Sequence, residues 1–585
     1  MLAGEFCLDD LHEAGDQSGQ DRLHATRPTV ALGQQPISDS GADVVTTALL
    51  LVAAALVGAP PNVAALVPSG CQIGQSVEVA AQGSVGDKPQ AWVSREGLKI
   101  EFAESGNKFK VTVAENAAPG LCWIRVFNAE GASPLRPFVI GTLAEVAEKE
   151  PNNAAKEAQK LESSQVVVNG VLDKGGDVDT FAVSLKAGQT LVSSLMAKGT
   201  LGSPMDGVLQ VLGPRGFVME HNDDDHGFDP QIVFTAPADG DYAVRVFAFP
   251  DQANSSIAFA GGANYIYRLT LTTGAFVDYT EPMSVGRLVA GEPPAPQAQR
   301  LRLRGWNLLP ELTELSTDAA ASDPFVVRHP LLGNTLTLPV ELHSSVVELT
   351  ERPAELQEIA LPSSMTGVIG KPDEVDVFRL KLAAKQAIVL RTDARLAGSP
   401  LDPLLRILKA DGSQLQEVDD GSKGDFDPDA NFTAPEEGEY RISITDRFGL
   451  GGPRFFYRLT ALTSQPDFEL KVAADSFVLN PEKPLEIPVT VDRQRGLTSE
   501  IEVVATGLPE KVTADPIVSL KEGDSAKSVK LMLKTEAGVT FSGPIHIVGR
   551  VKSEPPIEKP ASATLTAFNA TTRELWLTVT TPAAK

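Results

Sequence analysis

Phe228-Asp229-Pro230, followed by Phe234-Thr235-Ala236-Pro237, Gly240-Asp241-Tyr242 and Tyr267-Arg268-Leu269-Thr270, is a series of landmarks that this chain uses twice. It returns as Phe426-Asp427-Pro428, Phe432-Thr433-Ala434-Pro435, Gly438-Glu439-Tyr440 and Tyr457-Arg458-Leu459-Thr460. Upstream, Val168-Asn169-Gly170-Val171 and Asp177-Val178-Asp179-Thr180-Phe181 correspond to Met365-Thr366-Gly367-Val368 and Glu374-Val375-Asp376-Val377-Phe378. Gly202-Ser203-Pro204-Met205-Asp206 likewise corresponds to Gly398-Ser399-Pro400-Leu401-Asp402. So many landmarks in one order identify an internal repeat. Between them apolar residues alternate, as in Phe181-Ala182-Val183-Ser184-Leu185 and Tyr242-Ala243-Val244-Arg245-Val246, which is the period of a half-buried strand. Each copy therefore reads as an antiparallel β-sandwich of about 120 residues.

Outside the repeat the same pattern continues. The chain has 585 residues, room for about four domains at roughly 150 residues each. Its 49 glycines and 42 prolines suit many short strands divided by turns. Lys108-Phe109-Lys110-Val111-Thr112-Val113 and Cys122-Trp123-Ile124-Arg125-Val126-Phe127 alternate within residues 60–142, a small sandwich almost without helix. Residues 276–345 hold a proline-rich joint (Glu292-Pro293-Pro294-Ala295-Pro296) and strands near Arg300-Leu301-Arg302-Leu303, a degenerate linking module. Residues 466–585 alternate again at Glu486-Ile487-Pro488-Val489-Thr490-Val491 and Ser528-Val529-Lys530-Leu531-Met532-Leu533. The fold class is all-β, a tandem of antiparallel jelly-roll or Ig-like sandwiches.

Residues 145–274 and 348–463 resemble the bacterial pre-peptidase C-terminal (PPC) domain, a jelly-roll-like sandwich found beside secreted proteases and on large surface proteins. The phrasing SPMDGVLQVLG (203–213) and NDDDHGFDP (222–230) is similar to that of large secreted PPC-containing proteins of planctomycete-like bacteria. Residues 60–142 resemble the immunoglobulin-like IPT/TIG group, and 466–585 a fibronectin-like module.

An extracytoplasmic address is expected from residues 44–57 (VVTTALLLVAAALV). This run is too short to span a bilayer core of about 30 Å and reads as a signal-peptide h-region, with cleavage near Ala59 or Ala64. Acidic Asp39 and Asp43 stand where a basic n-region belongs, so residues 1–43 read as a start assigned too early, and 1–59 as leader. The competing reading is a cytosolic extension before a buried helix. Cys71 and Cys122 share one module, which leaves a single disulfide open, and Cys71 lies too far past the apolar run for a lipobox. A net charge of −25 repels phosphate backbones and excludes nucleic acid as a natural partner. No span is expected in the mature chain.

Catalytic signatures are missing. The sequence contains no G-x-S-x-G elbow, H-E-x-x-H, P-loop or G-x-G-x-x-G, nor the subtilisin-like Asp, His and Ser blocks that often accompany PPC domains. Of seven histidines the closest pair in the mature chain is His221 and His226, flanking Asp223-Asp224-Asp225, which reads as a solvated turn. The chain is therefore expected not to be an enzyme. Aromatic residues are 6%, and Trp92, Trp123, Trp306 and Trp576 sit in strand-like runs, so packing is preferred to a glycan platform.

Calcium is the ion the residues invite, because it takes about six to eight oxygen ligands from carboxylates, amides and carbonyls. In Glu148-Lys149-Glu150-Pro151-Asn152-Asn153, extended backbone puts Glu148 and Glu150 on one side, and Pro151 favours a turn that brings Asn152 and Asn153 round. The stretch resembles the Glu-x-Glu-Pro-Asn-Asn start of PPC domains, which in collagenase-type members supplies calcium ligands together with aspartates of the sandwich. The resemblance implies Asp177 and Asp179 as partners here. The alternative is that Asn153 N-caps a helix over 154–161 with the glutamates solvated. The second copy reads Val347-Glu348-Leu349-Thr350-Glu351-Arg352-Pro353-Ala354, without the asparagines and with a cation before the proline, so only the first copy is expected to bind. The acidic loops Asn222-Asp223-Asp224-Asp225 with Asp229, and Asp419-Asp420 with Asp425, Asp427 and Asp429, fit Asx turns as well as a second ion.

The functional expectation is a secreted, periplasmic or cell-surface protein for binding, adhesion or envelope architecture. Its partner would be an extracellular protein, a polysaccharide or an envelope component. The alternatives are an accessory or divergent subunit of a secreted peptidase, and a plain spacer.

Overall fold

The computed structural model describes residues 58–585 except 253–257, 288–297, 318–322, 350–354, 422–424, 569 and 581–585. The apolar run 44–57 and the rest of the leader up to Val57 lie outside the described residues. Strands follow one another throughout, and the longest helix among the described residues is the four-residue Lys198–Leu201. Among those residues no helix is long and apolar enough to cross a membrane.

Residues 62–141 form two four-stranded sheets. One holds Asn62–Val67, Ser76–Ser84, Lys108–Val113 and Leu98–Phe102, and the other Gly70–Gln72, Arg136–Gly141, Gly120–Phe127 and Gln90–Val93. The cause is legible in Lys108–Val113, where Phe109, Val111 and Val113 enter the core while Lys108 and Lys110 stay in water. Cys71 and Cys122 lie in that core as separate free thiols, so the disulfide left open by the sequence is not made. Burial pushes the Cys71 thiol up to about 11.

The two repeats are built alike. In the first, Gln231–Thr235, Thr190–Met196, Ile266–Thr272, Gln165–Val171 and Ala144–Ala147 form one sheet. Gln159–Lys160, Asp179–Leu185, Gly240–Pro250, Met205–Leu212 and Val218–Asn222 form the other. The second repeat gives Ser344–Val347, Ser363–Val368, Phe456–Thr463, Ala387–Asp393 and Asp429–Thr433, facing Val375–Leu382, Gly438–Asp446, Pro403–Lys409 and Gln414–Val418. The strand order agrees, with the short Gln159–Lys160 pairing reduced to a single bridge between Glu358 and Arg379.

The repeated landmarks have structural jobs. Tyr242 and Tyr440 donate to the carbonyls of Ala238 and Glu436 at 2.8 and 2.7 Å, closing the turn ahead of their own strand. The aspartate of each Phe-Asp-Pro caps a distant turn: Asp229 accepts from the amides of Lys198 and Gly199 at 2.7 and 3.0 Å, and Asp427 from that of Arg395 at 2.9 Å. The cores place Phe181, Tyr242 and Tyr267 where the second copy has Phe378, Tyr440 and Tyr457. Each fully buried side chain of this size contributes about 1.5–3 kcal/mol.

Residues 276–345 are thinner, a three-stranded sheet of Phe276–Glu281, Arg300–Trp306 and Glu314–Ser316 with two strand pairs beside it. The C-terminal part, from Asp467–Val472 to Leu575–Val579, is again two packed sheets around one core.

These parts do not lie end to end as separate beads. Gly70 of the first sandwich faces Arg268 of the first repeat so closely that a Cβ there would meet the guanidinium at 2.0 Å. Tyr279 of the linking part stacks on Phe456 of the second repeat with centroids 4.1 Å apart. The first sandwich also packs on the C-terminal one. Trp92 and Phe127 meet Trp576 at 6.2 and 4.8 Å, and Trp123 meets Phe568 at 5.1 Å. Arg125 lies over the Trp576 ring and pairs with Asp475 at 2.7 Å, with no exposed side-chain surface. The tryptophans thus serve packing, Trp306 included, which sits under Arg454 at 5.3 Å.

Replacing Arg125 by Ala leaves Asp475 without its partner in a largely dry interface, and loss of one member of a buried pair costs about 3–5 kcal/mol. The expected outcome for Arg125→Ala is a lower thermal midpoint and faster proteolysis at the junction of residues 62–141 with 467–579, read by calorimetry and limited digestion.

Candidate metal centre

The first repeat begins with Ala144–Ala147, a strand parallel to Gln165–Val171, and the register is carried on by the Glu148 amide donating to the Asn169 carbonyl at 3.0 Å. The chain then turns at Pro151 and is pinned to the opposite sheet where the Thr180 amide donates to the Asn152 carbonyl at 3.1 Å. That turn sets the Glu-Pro-Asn-Asn stretch beside the start of Asp179–Leu185.

Three of the expected residues come together there: one carboxylate oxygen each from Glu150, Asp177 and Asp179 lie within 4.8 Å of one another. Oxygens bound at about 2.3–2.6 Å on opposite sides of one calcium ion are at most about 5 Å apart, so the spacing suits a shared hard cation. Glu150 is exposed, whereas Asp177 and Asp179 are fully buried. Asp177 is fixed by the Asp173 amide on Oδ2 at 2.6 Å and by the Val178 amide on Oδ1 at 3.2 Å. The Glu150 carboxylate accepts the Asn152 amide at 3.0 Å.

Asn152 is fully buried, and neither its Oδ1 nor its Nδ2 finds a hydrogen-bond partner; Asp179 Oδ1 is also without one. Orphaned polar atoms at such depth cost a few kcal/mol each, of order 1–3 for a neutral amide. An all-oxygen donor set with unsatisfied acceptors is what a hard cation fits.

The other two expected ligands are engaged differently. Asn153 Nδ2 donates to Asp177 Oδ1 at 3.2 Å, which orients that carboxylate. Glu148 stands one step back, its Oε2 accepting from the Val171 amide at 2.9 Å and from Tyr267 Oη at 3.1 Å, while Tyr267 Oη also lies 2.5 Å from Asp179 Oδ2. One phenol proton cannot serve both carboxylates. Burial, and then the repulsion of Asp179, push Glu148 well above the usual range, and burial raises Asp179 as well. The helix-cap alternative is corrected by the structure. Residues 154–161 hold only the three-residue turn Ala155–Glu157, whose cap is Ala154 with no side-chain bond.

The second repeat keeps the buried core of this arrangement, and its described residues form no such carboxylate group around it. Tyr457 Oη donates to Asp376 Oδ2 at 2.8 Å, and the Glu348 amide donates to the Thr366 carbonyl at 2.8 Å. Glu374, in place of Asp177, turns back to accept the Lys371 amide at 3.1 Å. Arg352 lies outside the described residues. Among the described residues only the first repeat assembles a metal-sized carboxylate group.

The first acidic loop is a joint, while the second bonds within its own repeat. Asp225 makes a two-pronged pair with Arg454 of the second repeat, at 2.8 and 3.0 Å, and the same guanidinium holds Asp278 of the linking part at 2.8 and 3.2 Å. Asn222 Oδ1 accepts the Gln231 amide at 3.1 Å, and Asp419 pairs with Arg447. Sequence reasoning missed Arg454. Its signal is a departure between copies, since the first repeat has Asn264 at the equivalent place, and Ser203 and Ser399 donate to the carbonyls of Asn264 and Arg454 respectively.

Residues 177–248 match the family model of the bacterial pre-peptidase C-terminal domain, so the chain contains one such domain. Among known proteins, 123 residues, 21% of this chain, are 31% identical to a probable subtilase-type serine protease of Deinococcus radiodurans, of whose length the match spans 16%. Solved structures that are similar include the pre-peptidase C-terminal domain of a collagenase from Bacillus anthracis, at 18% identity and TM-score 0.16, covering 19% of this chain and 99% of that one. Another is the fibronectin(III)-like modules of CbhA from Clostridium thermocellum, at 12% identity and TM-score 0.13, covering 37% of this chain and 93% of that one.

Burial alone would raise Asp225, but hydrogen bonds from His226 and Arg454 outweigh it and hold the carboxyl down to about 2. Asp278 moves the other way because its burial outweighs the same guanidinium, so the stabilising response belongs to Asp225. A lowered folded pKa gives stability that is complete above the unfolded value, near 4, and is lost as pH falls towards 2, about 2 kcal/mol in all. Thermal melts of the native chain and of Arg454→Met should therefore differ most above about pH 4 and converge towards about pH 2.

Proposed function

We propose that this is a secreted, non-catalytic multi-domain β-sandwich protein that works in binding, adhesion or envelope architecture, with calcium stabilising its first repeat. The observation that carries the calcium reading is the Glu150, Asp177 and Asp179 carboxylate group together with a buried Asn152 whose side-chain polar atoms are both unpaired and whose backbone bonds to Glu150 and Thr180. A bound cation gives the carboxylates a counter-charge and the orphaned oxygens a partner. The second repeat, residues 348–463, is then a divergent copy of the same domain that has lost the ion. The secreted location is supported by the apolar run 44–57 and by the match to a domain whose relative is a probable protease of the subtilase type.

The binding role is favoured over catalysis because the match covers a pre-peptidase C-terminal domain and not a catalytic one. That same match favours a second reading, an accessory subunit of a secreted peptidase. Digestion of a general protein substrate by the purified chain, abolished by a serine or metal inhibitor, would overturn the non-catalytic reading.

Calorimetric titration of the chelator-treated full chain with calcium should show one site. Glu150→Gln, at an exposed position, should weaken it by about tenfold or more while leaving the apo melting curve unchanged. At a hundred times Kd the ion adds about 2.7 kcal/mol, a clear upward shift in the melting midpoint. Absence of both heat and thermal shift would sink the calcium reading.

A further inference from the structure

The hairpin between Met205–Leu212 and Val218–Asn222 has a twin in the second repeat, between Pro403–Lys409 and Gln414–Val418. Their turns have the same backbone bonding. Gly213 N donates to Phe217 O at 2.9 Å and Gly216 N to Gly213 O at 2.8 Å; Lys409 N donates to Ser413 O at 2.8 Å and Gly412 N to Lys409 O at 2.9 Å. Both pairs shift register at the same place, between Val211 and Leu212 and between Ile407 and Leu408.

The side chains differ. The second copy has Ser413 and Gln414 followed by Leu415, which is 37% exposed, and Ser413 settles the turn by donating from its amide and hydroxyl to Asp411 Oδ1 at 2.9 and 2.7 Å. The first copy has Phe217, Val218 and Met219, which are 66%, 49% and 45% exposed. Since the twin forms the same turn with Ser413 and Gln414, folding does not require Phe217 and Val218. Phe217 in the turn and Val218 and Met219 on the edge strand are adjacent exposed hydrophobic side chains, and such a group marks a contact surface.

Charge names the occupant. Arg215, stacked over the Phe217 ring at 5.7 Å, stands at one end of this surface, and exposed Glu220 and Asp223 lie towards the other. A surface that is cationic at one end, apolar in the middle and anionic at the other is complementary to itself about a two-fold axis. An antiparallel approach centred between Phe217 and Val218 sets Arg215 opposite Glu220 of the second copy and Phe217 opposite its Val218. With a net charge of −25 two copies repel at long range, so such a contact depends on this local pairing. The bulge at Met219 disfavours a continuous ladder across the edge, leaving side-chain packing to make the contact.

We propose that this hairpin is a self-association surface, through which two copies of the chain dock about a two-fold axis. Sedimentation equilibrium of the full chain over a wide concentration range should show a monomer–dimer equilibrium. The double variant Phe217→Ser, Val218→Gln, which installs the twin's own residues, should weaken association by about tenfold or more and leave the melting curve unchanged. Arg215→Glu and Glu220→Arg should each weaken it, and the two combined should restore it. A native chain monomeric throughout would overturn the proposal and assign the surface to a different protein. A dimer indifferent to these changes, or a charge exchange that fails to rescue, would overturn it as well.

Discussion

Inside each repeat a single tyrosine joins the two sheets. Tyr267, on Ile266–Thr272 of one sheet, reaches across the core to Asp179, which opens a strand of the other, and Tyr457 reaches Asp376 in the same way. Such a bond between a buried phenol and a buried carboxylate is costly to leave half made, so it fixes where the sheets stand relative to one another. It also dictates a glycine on the neighbouring strand. A Cβ at Gly170 would lie 2.1 Å from Tyr267 Cζ, and one at Gly367 would lie 2.4 Å from Tyr457 Cζ. With the aspartate held at the sandwich end, carboxylates that the preceding turns contribute collect around it.

That constraint explains what was legible in the sequence. The repeat, its strands and the tyrosine and Phe-Asp-Pro landmarks could be read because each acts within one copy and therefore recurs in the other. Asp177 and Asp179 could be tied to Glu150 only through the resemblance of the Glu148–Asn153 stretch to the start of PPC domains. The order of the ligands could not be read: Glu148 and Glu150 share a side in an extended chain, but the turn at Pro151 sends Glu150 to the cluster and leaves Glu148 against Tyr267 and the Val171 amide.

Contacts between copies leave no such mark. Arg454 reaches Asp225 and Asp278 across two boundaries, and Arg125 meets Asp475 from the other end of the described chain. Neither pair follows any period or motif. Reading Asp223-Asp224-Asp225 as a solvated turn holds for the exposed Asp223 and Asp224 and fails at Asp225 for this reason, since the partner that desolvates Asp225 lies far along the sequence. The only trace is a mismatch, an arginine where the other copy has Asn264.

Mismatch between copies is therefore the more informative signal once the repeat is known. Residues that agree, such as Tyr267 and Tyr457, report what the sandwich needs in order to fold. Residues that differ are free of that requirement, and what they do has to be sought outside the sandwich. By this reasoning the first copy holds the unsatisfied oxygens around Asp179 and the apolar hairpin tip, while the second supplies the cation that locks the two together. The second copy has Ser413 and Gln414 in place of Phe217 and Val218 and no carboxylate cluster among its described residues, and it still forms the same sheets. A duplicated fold can carry such a division, because each copy satisfies the tyrosine constraint independently and either is then free to change elsewhere.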